Sequence, residues 1–414
     1  MAKKNAVLIL FFTYFSLCLA AAQETGINFI VPPFLAPFLE SAPQITSEAA
    51  VLIDAETGVV LFSKNPHGEI PPASLTKLMT MHLVMSAAQA GKLSLDDVIP
   101  ITQESWARRQ PPRSSLMFLA PGQIVTMRGI LLGLAVSSGN DAAVAAALRL
   151  APSVAGFAEM MTAEARRLGM SKTRFTEPSG ISEYNITTAA EFAAFCKLYI
   201  ALHPQSLNEY HSVPVFAFPM PENLPPALRD NPGTIVQYNR NALLRTIEGC
   251  DGLKTGYIDE AGYSIAVTAM REGTRFLAVI LGAPASPGGD RIRDRDGAAL
   301  INWAFENFKT VRPEIPPIAP VRIWKGKENS VEVEAAGKAV YTSPASFGGN
   351  LTVIVETDAR LCAPLPLGYT VGHISFFDMH TEVLRIPLVT GRQCEQGSFL
   401  KRIWHSILLW FRRP

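Results

Sequence analysis

The sequence predicts an α+β domain with an antiparallel sheet, then a small all-β domain and a C-terminal amphipathic helix. Three observations carry that expectation. Strand-like apolar runs stand at both ends of the longer, N-terminal part of the chain, and a block of helical periodicity lies between them. After a Pro-rich break the text changes to short alternating runs separated by Gly and Pro. The last residues return to a helical period with one apolar and one basic face.

The elements follow in order. AAVLIDAETGVVLFSKN (49–65) holds two β-rich runs around Asp54-Ala55-Glu56-Thr57-Gly58, a hairpin signal. Residues 74–90 have a helical period, with Gly91 as the stop. From Leu131 to Leu150 the chain is rich in Ala and Leu, broken at Ser137-Ser138-Gly139-Asn140-Asp141, a turn between two buried helices. Residues 154–169 and 187–202 read as further helices. YSIAVTAM (263–270) and RFLAVILGA (275–283) form a second hairpin about Arg271-Glu272-Gly273-Thr274, and Ala298 to Phe308 a closing helix. RPEIPPIAP (312–320) reads as a linker. SVEVEA, LTVIVET, HISFFD and EVLRIPLV then give the strands of the second domain.

The two ends differ from the body. Lys3 and Lys4 form a basic start, Ala6 to Leu19 an apolar stretch and Ala20-Ala21-Ala22 a small-residue cleavage site, so residues 1–22 read as a secretory signal peptide. Removing it leaves about 390 residues, enough for two or three domains. The expected domains are 40–311, 320–395 and a helix at 397–414. In SFLKRIWHSILLWFRRP (398–414), Phe399, Leu400, Ile403, Trp404, Ile407, Leu408, Trp410 and Phe411 share one half of the helical wheel. Lys401, Arg402, His405, Ser406, Arg412 and Arg413 fill the other half. Two Trp above a basic face suit a helix lying in a membrane surface beside anionic headgroups; docking on the protein's own core is the rival.

Composition excludes other classes. The formal net charge is +1, so no global field draws the chain to nucleic acid. Cys196, Cys250, Cys362 and Cys394 show no C-x-x-C spacing and the histidines are scattered, so no metal or cofactor is expected. Cys362 and Cys394 could pair in an oxidising compartment, which the sequence leaves open.

Chemistry enters through three short elements. Ser74 and Lys77 form an S-x-x-K at the start of an apolar helix. Alone this is weak, because Ser opens many helices as a cap and a second S-x-x-K occurs at Ser398–Lys401. Ser138-Gly139-Asn140 is an S-x-N and Lys254-Thr255-Gly256 a K-T-G just before the second hairpin. S-x-N also occurs at Ser63–Asn65 and Ser206–Asn208, so it too is cheap. The joint order is specific, and the separations, 64 residues from Ser74 to Ser138 and 114 from Asn140 to Lys254, need a folded domain to close them.

On ASLTKLMT (73–80), SSGNDAA (137–143), DGLKTGY (251–257) and RFLAVILGA, with APLPLGYTVG (363–372) in the second domain, the chain resembles the low-molecular-mass penicillin-binding proteins, the serine D-alanyl-D-alanine carboxypeptidases. The resemblance implies a penicillin-binding/β-lactamase-like first domain that removes the terminal D-alanine from peptidoglycan stem pentapeptides through an acyl-Ser74 intermediate, which β-lactams trap. It implies an exported enzyme on the periplasmic face of the cytoplasmic membrane. Ser74 is the nucleophile and Lys77 its base. A free lysine, at about pKa 10.4, is protonated, so burial and a second cation, Lys254, are expected to depress Lys77. Ser138 would relay a proton between Lys77 and the departing D-alanine nitrogen, and Asn140 would bond the substrate amide. Thr255 and Gly256 on an edge strand would take the peptide as an added strand. By resemblance the backbone N–H groups of Ser74 and Tyr257 form the oxyanion hole, and Arg293 holds the substrate carboxylate, with Arg291 and Arg295 close enough to compete for that role.

Two departures stand out. Tyr257 occupies the place of a histidine or threonine in some relatives. Glu177-Pro178 resembles the deacylating Glu of class A β-lactamases, but Ser-Gly-Ile follows, so a structural loop is expected there. An endopeptidase or weak transpeptidase of the same family stays open. A β-lactamase fits poorly with the extra β domain and basic tail, and a catalytically silent wall-binding protein fits poorly with a complete motif set.

Overall fold

The computed structural model describes residues 27, 29, 31–347 and 349–411. The expected leader at 1–22 lies outside them, as do Arg412 and Arg413. The chain forms two compact units, one ending at Asn307 and the other running from Phe308 onward with Pro32–Pro37.

The first unit is built on a five-stranded antiparallel sheet. Its strands are β1 (Ala49–Asp54), β2 (Val60–Lys64), β3 (Cys250–Ile258), β4 (Gly262–Arg271) and β5 (Thr274–Ala283), in the order β2-β1-β5-β4-β3. The expected hairpins are both present. In the first, the Asp54 carboxylate accepts the N–H groups of Glu56 and Thr57, and Gly58 supplies the left-handed residue at φ 76°. Every residue of β1 is buried, which explains why AAVLID shows no polar alternation. The K-T-G strand, β3, is the sheet edge, as expected.

The helical block comprises α1 (Lys77–Gln89), α2 (Met127–Leu132), α3 (Asn140–Leu150), α4 (Val154–Arg167) and α5 (Ala189–Leu202). Thr126, Ser153 and Thr188 cap α2, α4 and α5 through their hydroxyls. In α1 the residues Leu78, Met79, Met81, Val84 and Met85 are all buried, so the helix is enclosed on all sides and not laid on the surface. The closing helix α6 (Gly289–Asn307) begins nine residues before the expected Ala298. Its first turns, GDRIRDRDG, are polar enough to read as a loop, yet Arg293 and Asp296 face inward. Asp296 takes the N–H groups of Thr46 and Ser47 and the Ser47 hydroxyl, which satisfies its buried charge.

In the second unit, β6 (Val333–Ala335), β7 (Leu351–Thr357), β8 (Thr370–Asp378) and β9 (Thr381–Thr390) form an antiparallel sheet in the order β6-β9-β8-β7. Val371, Ile374, Phe376, Ile386 and Leu388 make its core. Residues 308–311, expected in the first domain, pair instead with Tyr341–Pro344 of this unit. Cys362 and Cys394 are free thiols.

The helix α7 (Phe399–Phe411) is held to its own unit by polar contacts. The buried His405 accepts the Lys325 backbone N–H at Nδ1 (2.7 Å) and meets the Trp324 ring edge-on, and Lys401 Nζ donates to the Lys327 carbonyl. The large apolar side chains point outward: Trp404 is 60% exposed and Trp410 61%, with Phe399, Leu400, Ile403, Ile407 and Phe411 beside them.

Candidate active site

Ser74 sits on a 3₁₀ turn, Ala73–Thr76, that leads into α1. Its hydroxyl caps nothing: neither this turn nor α1 has a side-chain cap. It meets Lys77 Nζ at 3.0 Å. The same Nζ donates to Asn140 Oδ1 (2.8 Å) and to the Ser179 carbonyl (2.6 Å), so three acceptors from three segments fix the amine. Burial in the enclosed helix lowers the Lys77 pKa from 10.5 to about 7, with Glu177 and Asp141 pulling it back up and Arg240 pushing it down. Desolvation is the main cause.

Ser138 and Asn140 come from the break between α2 and α3. Residues 133–137 widen into a π turn, and Ser138 follows in the left-handed region at φ 57°. A non-glycine residue held there is strained backbone at a site of chemical interest. Asn140 opens α3, its N–H bonded to the Ser115 carbonyl and its Nδ2 to Ser114 Oγ (3.2 Å). Asp141 is buried and accepts the N–H groups of Met117, Leu119 and Ala142, tying segment 114–119 to the start of α3.

The edge strand β3 brings the third element. Lys254 Nζ, buried, donates to Ser138 Oγ (2.9 Å) and to the Thr255 carbonyl (2.8 Å). Burial, and then the charges of Lys77, Arg240 and Arg293, push the Lys254 ammonium well below its usual range. The strand is seated by His211, whose Nδ1 bonds the Leu253 carbonyl (3.0 Å) and whose Nε2 bonds the Tyr199 hydroxyl (2.7 Å). A carbonyl can only accept, so Nδ1 carries the proton and Nε2 accepts a hydrogen bond from the Tyr199 hydroxyl. A side chain at Gly256 would place its Cβ 2.9 Å from the Ser74 nitrogen and 3.0 Å from the Pro72 carbonyl oxygen. Only glycine lets β3 run this close to the Ser74 turn. Thr255 is buried beside it and Tyr257 is half-exposed, its hydroxyl donating to Asp259.

Of the three candidate arginines, Arg291 and Arg295 are exposed and Arg293 is buried on α6. Arg293 pairs with Asp294 at 2.7 Å, and its guanidinium lies 5.9 Å from the Tyr263 ring, which meets the Tyr257 ring at a tilt of 32° with centroids 4.2 Å apart.

Two expectations change. Ser138 bonds Lys254 and not Lys77, so the site holds two linked pairs, Ser74–Lys77 and Ser138–Lys254. The charge that adds to burial in lowering Lys77 is Arg240, whereas the Lys77 charge in turn lowers Lys254. Arg240 escaped sequence reasoning because NRN (239–241) looks like an ordinary turn. Its flanking asparagines hold it in place: Asn239 donates to the His211 and Val213 carbonyls, and Asn241 to the Gly252 carbonyl. Among the described residues no group of His, Cys, Asp and Glu is placed to hold a metal ion.

A half-exposed hydroxyl, a lysine amine stripped of water, a second hydroxyl–amine pair and an open strand edge make a site for acyl transfer from an extended peptide. Comparison with known proteins agrees. Residues 36–285 match the family described as D-alanyl-D-alanine carboxypeptidase, peptidase S11, and residues 305–396 match the penicillin-binding protein 5 C-terminal domain. The chain is 32% identical to the D-alanyl-D-alanine carboxypeptidase DacC of Escherichia coli, over 97% of this chain and 98% of that one. Penicillin-binding protein 5 of Haemophilus influenzae superposes with TM-score 0.76 at 30% identity, covering 86% of this chain and 99% of that one. Penicillin-binding protein D2 of Listeria monocytogenes, solved with ampicillin bound, superposes with TM-score 0.53 at 29% identity, covering 64% of this chain and all of that one (100%). The chain belongs to the D-alanyl-D-alanine carboxypeptidase family, peptidase S11.

Proposed function

We propose that this chain is a serine-type DD-carboxypeptidase that removes the terminal D-alanine from peptidoglycan stem pentapeptides. The observation that carries the reading is the contact of the buried Lys77 amine with the Ser74 hydroxyl. Neutral Lys77 takes the Ser74 proton as Oγ attacks the penultimate D-alanine carbonyl. The peptide lies along β3 between Thr255 and Tyr257, with Asn140 on its amide and Arg293 drawing its terminal carboxylate. Backbone N–H groups of Ser74 and Tyr257 hold the oxyanion, each donor being worth on the order of 3 kcal/mol of barrier. Collapse of the tetrahedral intermediate breaks the C–N bond and expels D-alanine; the Lys77 ammonium gives the proton it took from Ser74 to the departing nitrogen, relayed by the Ser138 hydroxyl that Lys254 holds, so Lys77 is neutral again. Water then attacks the acyl-Ser74 ester, with Lys77 again as base. A β-lactam ring opens on Ser74 by the same first step and leaves no departing amine, so the adduct persists.

The same reading places the enzyme outside the cytoplasm, on the periplasmic face of the cytoplasmic membrane. The leader-like residues 1–22 and the outward apolar face of α7, with Trp404 and Trp410, support attachment at a membrane surface. No single helix among the described residues is long and apolar enough to cross a membrane. The test is product analysis on a muropeptide pentapeptide. Free D-alanine and a tetrapeptide are expected; cleavage of cross-linked dimers without D-alanine release would favour an endopeptidase instead.

A further inference from the structure

The segment FTEPSGIS (175–182) forms one wall of the site, and Glu177 is its organising residue. Glu177 Oε2 accepts the Ser179 N–H (2.7 Å) and the Ser179 hydroxyl (2.6 Å), and Oε1 accepts the Gly180 N–H (2.6 Å) and Asn185 Nδ2 (2.9 Å). Asn185 completes the frame: Nδ2 also donates to the Glu177 carbonyl, and Oδ1 accepts the Thr176 N–H and hydroxyl. Four donors around one carboxylate fix the turn at Ser179 and Gly180. That turn touches the reacting residues in two places. The Ser179 carbonyl accepts Lys77 Nζ at 2.6 Å, shorter than either of the amine's other two contacts. Gly180, at φ 83°, packs so close that a Cβ there would stand 1.8 Å from the Ala73 carbonyl oxygen and 2.9 Å from the Ser74 nitrogen.

We propose that Glu177 is a positioning residue for the nucleophile–base pair, holding the Ser179 carbonyl against the Lys77 amine and lending that wall a negative charge. Its carboxylate is occupied by the loop, and no hydrogen bond links it to Ser74 or to Lys77 Nζ, so it acts through the turn and through its field. The Ser179 carbonyl and the Glu177 charge both favour the ammonium, while acylation needs the neutral amine. Glu177 therefore sets a compromise: it fixes the amine beside Ser74 and raises the pH at which the amine becomes a base. The inference rests on the proposed role of Lys77 and concerns the pH dependence of that role.

The experiment measures the acylation rate of the full chain by a fluorescent penicillin from pH 5 to 9, for wild type, Glu177→Gln and Glu177→Asp. In Glu177→Gln the amide N–H₂ faces donors and the charge is gone. The plateau rate is expected to fall at least tenfold, and the acid limb to move down by about one pH unit. In Glu177→Asp the charge stays but the carboxylate is one methylene short of its donors, so the plateau falls and the limb stays. If Glu177→Gln melts below the assay temperature, Glu177→Asp carries the test, and a wild-type plateau there overturns the proposal. Unmoved profiles in both variants, or lowered melting with an unmoved acid limb in Glu177→Gln, would leave Glu177 with a purely structural role and refute it. Ser74→Ala is the control on the function itself: a wild type that takes no label at Ser74 refutes the enzyme, whereas a labelled wild type with unmoved variants refutes only the role of Glu177.

Discussion

Replacing Lys77 by Met separates the energetic load of the site from its chemistry. Burial brings the Lys77 pKa from 10.5 down to about 7. Each pKa unit is about 1.4 kcal/mol, so the buried charge is disfavoured by roughly 5 kcal/mol relative to the unfolded chain. The sign follows from proton counts. Between pH 7 and 10.5 the unfolded chain binds the lysine proton and the folded chain does not, so this residue makes stability rise with pH across that window. Below pH 7 both states are protonated and the folded state carries the full penalty. In Lys77→Met that contribution vanishes. Asn140 Oδ1 and the Ser179 carbonyl lose a donor in the variant, at a cost of about 1–3 kcal/mol each, but this cost does not vary with pH. Part of the effect returns through Lys254, whose ammonium Lys77 pushes down. The stability of wild type minus Lys77→Met, from urea unfolding, is therefore expected to rise by several kcal/mol between pH 7 and 10.5. Acylation by penicillin is lost in the variant at every pH. Parallel stability curves across that window would refute the claim that Lys77 is held as a desolvated amine.

Other perturbations test neighbouring parts of the site. Wild-type acylation should lose about fivefold between pH 7 and pH 6, because a base of pKa near 7 goes from half to about one-tenth neutral; a rate flat to pH 5 contradicts this. Gly256→Ala drives a Cβ against the Ser74 nitrogen, and overpacking of about 1–3 kcal/mol is expected to slow acylation by about 5- to 150-fold while β3 stays folded by circular dichroism. Asp141→Ala orphans the N–H groups of Met117, Leu119 and Ala142, and a loss of about 3 kcal/mol or more should appear in urea unfolding. On vesicles containing anionic lipid, replacing both Trp404 and Trp410 by Ser should weaken binding of the full chain at least tenfold without altering D-alanine release from soluble peptide.

Much of this was legible in the sequence because the signals are local. Both hairpins and the helix after Ser74 follow from periodicity and turn chemistry over a few residues, and the edge strand carrying K-T-G follows from the family resemblance. The order of the three motifs pointed to convergence, and Lys77 does meet Ser74 and Asn140. What stayed hidden depends on contacts distant in sequence. No local pattern distinguishes Arg240 in NRN from a turn residue, and its effect on Lys77 exists only once Asn239 and Asn241 have fixed it. The pairing of Ser138 with Lys254 in place of Lys77 is a matter of ångströms between segments far apart in the chain. The early start of α6 was missed because Arg293 and Asp296, polar in the text, are inward-facing in the fold. Glu177 lies in a loop, as the sequence around it predicts, but the loop's contact with Lys77 through Ser179 lies beyond any spacing rule.

The most direct test of the account is peptide mapping by mass spectrometry after brief exposure of the full chain to penicillin. A single penicilloyl adduct is expected on Ser74 of the wild type and on no residue of Ser74→Ala. An adduct on Ser138, or equal labelling of the two proteins, would contradict the assignment of the nucleophile and everything derived from the Ser74–Lys77 contact.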